Sequence, residues 1–443
     1  MRLANPFGNI KNILHNFVRM KRIPQFMIAA PTSGSGKTTI SVGIMELLTQ
    51  KGYKVQPFKC GPDYIDTMFH RNACGRPSIN LDTFLASDNH VKDLYRLYGK
   101  DADICVVEGM MGMYDGFSRW EGSSAYIASL LDIPVLLIAD AKSTSYSMAP
   151  LLKGFMTFSD KVRIMGVIFN KVGSLRHKAM LEEVCDDLGI KALGFIPADR
   201  KIKNESRYLG LDFSKMTQKE DIAKLVARNV DIDKLLLLAS SPLEDTSFTI
   251  KPDNRKVLIA ANREAFSFIY NEHLAKWPNA SFFTPDIDEE IDSDIDLLYL
   301  PGGYPEKYLQ ILSSCKKRRE SIKRYADAGG KILAECGGMA YLCRSIINDR
   351  AEYEMCGVLP YSVSSKKADC KLSLGYRSLT LNGMKLRGHE FHYTHFKDAE
   401  PETVTQVYDA KGNKVPTQII RVNNVIASYA HLYWGEQDIF NIF

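Results

Sequence analysis

No apolar run in these 443 residues approaches the roughly 20 needed to cross a bilayer; the longest, Ile133 to Ala139, lies between Asp132 and Asp140. No C-x-x-C pair occurs among the nine cysteines, so neither a zinc ribbon nor a disulfide framework is indicated, and a reducing compartment, the cytoplasm, is the expected setting. Net charge is slight. Against 57 Lys and Arg stand 52 Asp and Glu, a dispersed excess of +5 that argues for neither nucleic acid nor an anionic membrane, while a small acidic substrate remains compatible. Internal repeats and low-complexity tracts are missing too. Residues 1–25 carry Arg19, Lys21 and Arg22 without the charged start, long apolar run and cleavage site of a signal peptide, and read as an unstructured or loosely docked extension.

What is present is ordinary for a globular protein: 45% hydrophobic and 25% charged residues. The length predicts about three domains or two large ones. From Phe26 onward, Phe26–Ala30, Tyr53–Phe58, Asp103–Val107, Pro134–Ala139 and Ile164–Phe169 read as buried strands bounded by turn residues. Between the first two, Ile40, Ile44, Leu47 and Leu48 recur at helical spacing. That is a βαβ unit, and its repetition implies a parallel sheet covered by helices. The pattern fades into a polar stretch around Lys201–Asp231 and recovers at Lys256–Ala261, Ile295–Leu300 and Lys331–Glu335. The expected organisation is an α/β domain over 26–225, a linker over 226–255 broken by Ser240, Ser241, Pro242 and Pro252, and a second α/β domain over 256–443. The acidic run Asp286–Asp296 and the basic run Lys316–Arg319 are expected to be solvated surface.

Strand Phe26–Ala30 runs into Pro31-Thr32-Ser33-Gly34-Ser35-Gly36-Lys37-Thr38-Thr39 and then a helix. A phosphate loop needs glycines so that backbone N–H groups can wrap phosphate oxygens, a Lys for the β/γ-phosphates and a Ser/Thr hydroxyl for Mg²⁺. Gly34, Ser35, Gly36, Lys37, Thr38 and Thr39 supply these, although Pro31 stands where the usual motif has its first Gly. Carboxylates are expected at neighbouring strand ends, where ligands bind in parallel α/β sheets. Glu108 follows Ile104–Val107 directly, and the loop after the second strand offers Asp63 and Asp66. Thr38, Asp63 and Glu108 are the expected Mg²⁺ set, with Tyr64, Asp66 and Asp115 toward substrate.

The second half holds Leu333-Ala334-Glu335-Cys336-Gly337-Gly338-Met339, a strand, a tight turn with Cys at its tip, and a helix expected from Met339. Such an elbow lifts the thiol clear, and the helix N-terminus favours thiolate. A base must accompany it, and His431, just past a strand-like run, is the candidate. Gly302 and Gly303 after Leu300, with Gly337, are candidate backbone donors for an oxyanion. His389-Glu390-Phe391-His392 lacks zincin spacing, and in a strand its two histidines face opposite sides.

These residues resemble the cobyrinate a,c-diamide synthase family of cobalamin-pathway glutamine amidotransferases, from about residue 26 to the end. The resemblance rests on the variant phosphate loop, Gly61-Pro62-Asp63-Tyr64-Ile65-Asp66, Asn80-Leu81-Asp82, Glu108–Gly116, Leu300–Glu306, Ala334–Gly338, Gly388–His392 and Ser428–His431. It implies an N-terminal ATP-dependent amide ligase domain similar to dethiobiotin synthetase, fused to a class I-type glutaminase in which Cys336 is the nucleophile and His431 its base. ATP, Mg²⁺, L-glutamine and a tetrapyrrole polycarboxylate (cobyrinate, hydrogenobyrinate or nickel-sirohydrochlorin) are the implied ligands, with a homodimer left open. Ordinary class I glutaminases carry an orienting Glu two residues after the base. Here that residue is Tyr433, a departure the corrinoid amidotransferases share. A P-loop switch ATPase of the partitioning type would account for the first 200 residues alone but not for the elbow cysteine.

Overall fold

A computed structural model describes residues 21–198, 219–262, 264–397 and 400–443. The first half is built on β1 (Lys21–Ala29), β2 (Val55–Cys60), β3 (Ile79–Leu81), β4 (Ile104–Glu108), β5 (Val135–Asp140), β6 (Ile164–Val172) and β7 (Ala192–Pro197), in the spatial order β3-β2-β4-β1-β5-β6-β7. All these pairings are parallel. Alternate residues of each strand enter two apolar layers: Met27, Phe58, Val107 and Leu137 on one side, Phe26, Ile28, Val106 and Leu136 on the other. Strand order reverses about the central β1, so its carboxyl end opens a crevice toward the end of β4. The phosphate loop sits there.

Two sequence expectations are corrected at the margins of this sheet. Residues 21–25 of the expected extension belong to β1, where Lys21–Pro24 pair antiparallel with β8 (Ser240–Leu243). Gln25 locks the junction: its Nε2 donates to Ser241 and Pro242 carbonyls, and Tyr95 donates to its Oε1. The rest of the extension, with most of the Lys201–Asp231 polar stretch, lies outside the described residues. The expected linker likewise begins too early. Helix Lys219–Asn229 packs Ile222 and Val226 so closely on Gly43 that a Cβ there would stand 2.7 Å from each, and helix Ile232–Ala239 buries Leu235 and Ala239 beneath the sheet. Charged residues on the outer faces of these helices mask an apolar stripe at helical spacing. Residues 244–256 run without helix or strand.

The second half carries β9 (Val257–Ala260), β10 (Ser281–Phe283), β11 (Leu297–Leu300) and β12 (Ile332–Glu335). After the elbow come β13 (Cys343–Ile347), β14 (Glu352–Glu354), β15 (Leu359–Ser364), β16 (Ser373–Leu381), β17 (Met384–His392), β18 (His395–Phe396), β19 (Val407–Tyr408), β20 (Lys414–Val415), β21 (Ile419–Val422), β22 (Val425–Ser428) and β23 (His431–Tyr433). The central sheet runs β10-β9-β11-β12-β22-β21, while β14-β13-β15-β18 and β20-β19-β16-β17-β23 form two smaller sheets. The two halves share one core: Phe268, Tyr270, Tyr304 and Tyr433 join the apolar cluster of Tyr64 and Phe84. No helix among the described residues is long and apolar enough to cross a membrane.

Candidate active site

Gly34 and Gly36 turn the phosphate loop at φ of 78° and 96°, a region open to glycine at little cost. Asn170 Nδ2 donates to Ser35 O at 2.9 Å, and a Cβ on Gly36 would collide with that amide. Ser35 closes the turn by donating to Thr32 O. Lys37, Thr38 and Thr39 begin the Lys37–Gln50 helix, whose N-terminus presents amides and a positive dipole end to an anion. Lys37 Nζ donates to Met111 O at 2.5 Å.

Beyond the loop, a buried polar cluster assembles from three strand ends. Thr38 Oγ1 donates to Glu108 Oε1 at 2.6 Å and lies 3.4 Å from Asp66 Oδ2. Lys59, at the end of β2, bridges the two acids, 2.6 Å from Asp66 and 3.0 Å from Glu108. His70 Nε2 is 2.7 Å from Glu108 Oε2, and its Nδ1 is 3.0 Å from Ser78 Oγ. Burial alone would raise the Glu108 carboxyl, but Lys59, His70 and Thr38 together hold it well below the usual carboxylate range. The same acids keep Lys59 charged despite its burial. Thr38, Glu108 and Asp66 thus offer a hydroxyl and two ionised carboxylates, the hard oxygen donors that suit Mg²⁺ when phosphate oxygens and water complete its shell. Among the described residues, no group of three His, Cys, Asp or Glu side chains forms a self-sufficient metal site.

The placement of the other sequence candidates differs. Asp63, expected with the metal, accepts from Ile65 N and Asp66 N through Oδ1 and so caps the Ile65–Cys74 helix; Asp66 takes the place beside Thr38. Asp115 accepts from Gly112 N at 3.0 Å and shapes its own loop. Tyr64, expected toward substrate, is buried between the halves, stacked on Phe268 at 5.3 Å and 5.2 Å from the His431 ring. Asn80 Nδ2 donates to Gly61 O and Asp63 O, fixing that loop, and Asp82 accepts from Tyr376 of the second half. Lys59 and His70 were not singled out by sequence reasoning. A charged residue directly after the strand-like run Tyr53–Phe58 is the available signal for Lys59; His70 has none.

In the second half, β12 ends at Glu335 and Cys336 turns at φ 48°, ψ −107°, a conformation costly for a non-glycine residue and concentrated at functional turns. Its neighbours must be glycine: a Cβ on Gly338 would stand 2.0 Å from Leu300 O, and one on Gly337 2.6 Å from Gly303 O. The helix starts at Gly337, two residues before the expected Met339. Cys336 opens on a small cavity that Gly303, Gly337, Tyr304, Glu306 and His392 also line. Burial, then Glu306, pushes the thiol up, while the Gly337 amide pulls the other way.

Gly302 and His431 do not line that cavity. They lie against each other at its side, where a Cβ on Gly302 would stand 2.1 Å from His431 Cε1. Burial, reinforced by His389 and His392, lowers His431 to about 3, so the ring is neutral near pH 7 and its buried Nδ1 has no hydrogen-bond partner. A neutral imidazole with an open nitrogen is the form a base requires. His392 lines the cavity but engages both nitrogens, Nδ1 with Thr394 O and Nε2 with Glu390 Oε1, each at 2.7 Å, leaving none for the thiol's proton.

Residues 26–210 match the CobQ/CobB/MinD/ParA nucleotide binding domain family, and residues 257–439 the CobB/CobQ-like glutamine amidotransferase domain family. Along nearly its whole length the chain is 37% identical to a hydrogenobyrinate a,c-diamide synthase of Brucella abortus, over 92% of this chain and 98% of the relative. It is 36% identical to one of Mycobacterium bovis, over 93% and 95%. A cobyrinate a,c-diamide synthase of Caldanaerobacter subterraneus is 34% identical, over 92% and 94%.

Proposed function

Since the chain belongs to the family of hydrogenobyrinate and cobyrinate a,c-diamide synthases, we propose that it amidates the a and c acetate carboxylates of cobyrinate, with ATP as activator and L-glutamine as nitrogen donor. The observation that carries this reading is the pairing of two complete half-sites across one shared core. The Thr38–Glu108–Lys59–Asp66 cluster lies at the phosphate loop, and a strained Cys336 elbow lies beyond an aromatic wall in which Tyr64 meets His431. A switch ATPase has no use for the second half.

A carboxylate resists attack by ammonia, so it is first activated as an acyl phosphate. Lys37 and the loop amides bind the transferring phosphate. Thr38, Glu108 and Asp66 would hold Mg²⁺, which supplies charge neutralisation when bound. Lys59, paired with both acids, keeps them ionised and oriented. In the other half His431 takes the Cys336 proton as sulfur attacks the glutamine amide carbon, with Gly303 and Gly337 flanking the developing oxyanion. Ammonia leaves, water cleaves the glutamyl thioester, and ammonia displaces phosphate at the first site. All nine cysteines are free thiols, which suits a reducing cytoplasm.

Hydrogenobyrinate is the second reading, favoured by the relatives so named. Mass spectrometry of products from cobyrinate, hydrogenobyrinate and nickel-sirohydrochlorin, each with ATP, Mg²⁺ and glutamine, decides between them. A diamide from cobyrinate is expected; a diamide from hydrogenobyrinate alone moves the assignment to the cobalt-free ring, and no amide from any of the three defeats it.

A further inference from the structure

Among the described residues, no acid is hydrogen-bonded to Nδ1 of the proposed base, His431. Tyr433 occupies the position two residues after His431, and its hydroxyl is engaged with Glu272, which also meets His90 of the first half. His431 Nδ1 is buried without a partner. Moreover, β23 is the end strand of its sheet, with β17 on one side and no strand on the other. The amide of Leu432, directly after His431, would therefore be a buried orphan, a costly condition in a protein interior.

One side chain meets that amide. Glu335, 2% exposed and directly before the elbow cysteine, accepts from Leu432 N at 2.8 Å through Oε1, while Oε2 is 2.7 Å from the Tyr299 hydroxyl on β11. A single carboxyl thus joins the strand that carries the nucleophile to the strand that carries the base, and braces both against a third. We propose that Glu335 is the positioning residue of the glutaminase site, fixing His431 relative to Cys336 through the backbone, in place of the acid that orients the imidazole in ordinary class I enzymes. This rests on the reading of Cys336 and His431 as nucleophile and base.

The chemistry of the contact separates it from a triad acid. A triad acid is ionised and touches the imidazole. Glu335 touches an amide and a phenol, and burial pushes it up to about 8, with Leu432 N and Tyr299 pulling the other way. The Leu432 amide and the Tyr299 hydroxyl each donate to one of its two oxygens. A glutamine can make both contacts; an apolar side chain of similar volume can make neither.

Glutaminase rates and ammonia-driven amidation of Glu335→Met, Glu335→Gln and His431→Asn test the proposal. Glu335→Met is expected to lower glutaminase kcat by about 10²-fold, the scale of a small misplacement of reacting groups, with glutamine KM and ammonia-driven amidation unchanged. Glu335→Gln should keep the wild-type rate. Equal losses in Met and Gln variants would make Glu335 a charged participant and overturn the proposal, as would a wild-type rate in Glu335→Met or a parallel loss of ammonia-driven amidation. If Glu335→Met does not fold, Tyr299→Phe, which removes one brace only, should still reduce glutaminase kcat, and an unchanged rate overturns the proposal. His431→Asn tests the underlying reading by itself: it should lose about 10²–10⁴ in rate, and an unchanged rate moves the base to His389 whatever Glu335 does.

Discussion

Cys336→Ala is expected to abolish glutamine-driven diamidation while leaving diamidation with high ammonia at the wild-type rate. Eight of the nine cysteines are buried, but among them Cys336 alone adopts a positive φ. It also opens on the cavity that Gly303 and Gly337 line. Removing its sulfur removes the proposed nucleophile, and His392, held by Glu390 and Thr394, does not replace it. The ligase cluster lies across the aromatic wall and does not involve the thiol. Alanine also fits the turn sterically, since the glycines that make the close contacts are its neighbours. The check is amide formation with each nitrogen donor, and loss with both donors would refute the division of labour.

Glu108→Gln should show the opposite pattern. Diamidation is expected to fall by about 10²–10³ with either donor, the usual scale for removing one preorganised electrostatic partner, while Cys336-dependent glutamine hydrolysis persists. Glu108 is fully buried and meets Thr38, Lys59 and His70 at once. The amide keeps its volume but loses the charge that balances Lys59, and a buried cation left with half its partners perturbs the site it organises. Persisting glutamine hydrolysis shows that the chain has folded. A folded Glu108→Gln protein that makes the diamide at the normal rate with saturating Mg-ATP would remove Glu108 from the metal set and leave Asp66 as its carboxylate.

The parts of the molecule readable in the sequence are those in which local chemistry forces local structure. The phosphate loop announces itself through Gly34, Gly36, Lys37 and Thr38, and the elbow through Cys336 between a strand and two glycines. The buried parallel strands are near-continuous apolar runs, as sheets covered on both faces demand. What was not readable depends on residues far apart in sequence. Lys59 and His70 matter because β2 and the Ile65–Cys74 helix bring them to Glu108, roughly 40 to 50 residues away along the chain. Asp63 and Asp66 are indistinguishable as letters, and only the helix start decides that the first caps backbone amides while the second faces Thr38. Lys21–Pro24 become strand because Ser240–Leu243 return to pair with them, a partner no local window contains. Tyr64 is expected toward substrate from its sequence segment alone. Its packing on Phe268 and His431 instead makes it part of the wall between the half-sites.

The central claim is that nitrogen released at Cys336 reaches a carboxylate activated at the phosphate loop. Glutamine labelled with ¹⁵N at its side-chain amide, supplied with ATP, Mg²⁺ and cobyrinate in the presence of unlabelled ammonium, tests it most directly by the isotope content of the diamide. The account predicts a product carrying ¹⁵N at both amides, with one labelled glutamine consumed for each. A diamide drawn mainly from the unlabelled pool, or glutamine hydrolysed with no amide formed, would contradict it.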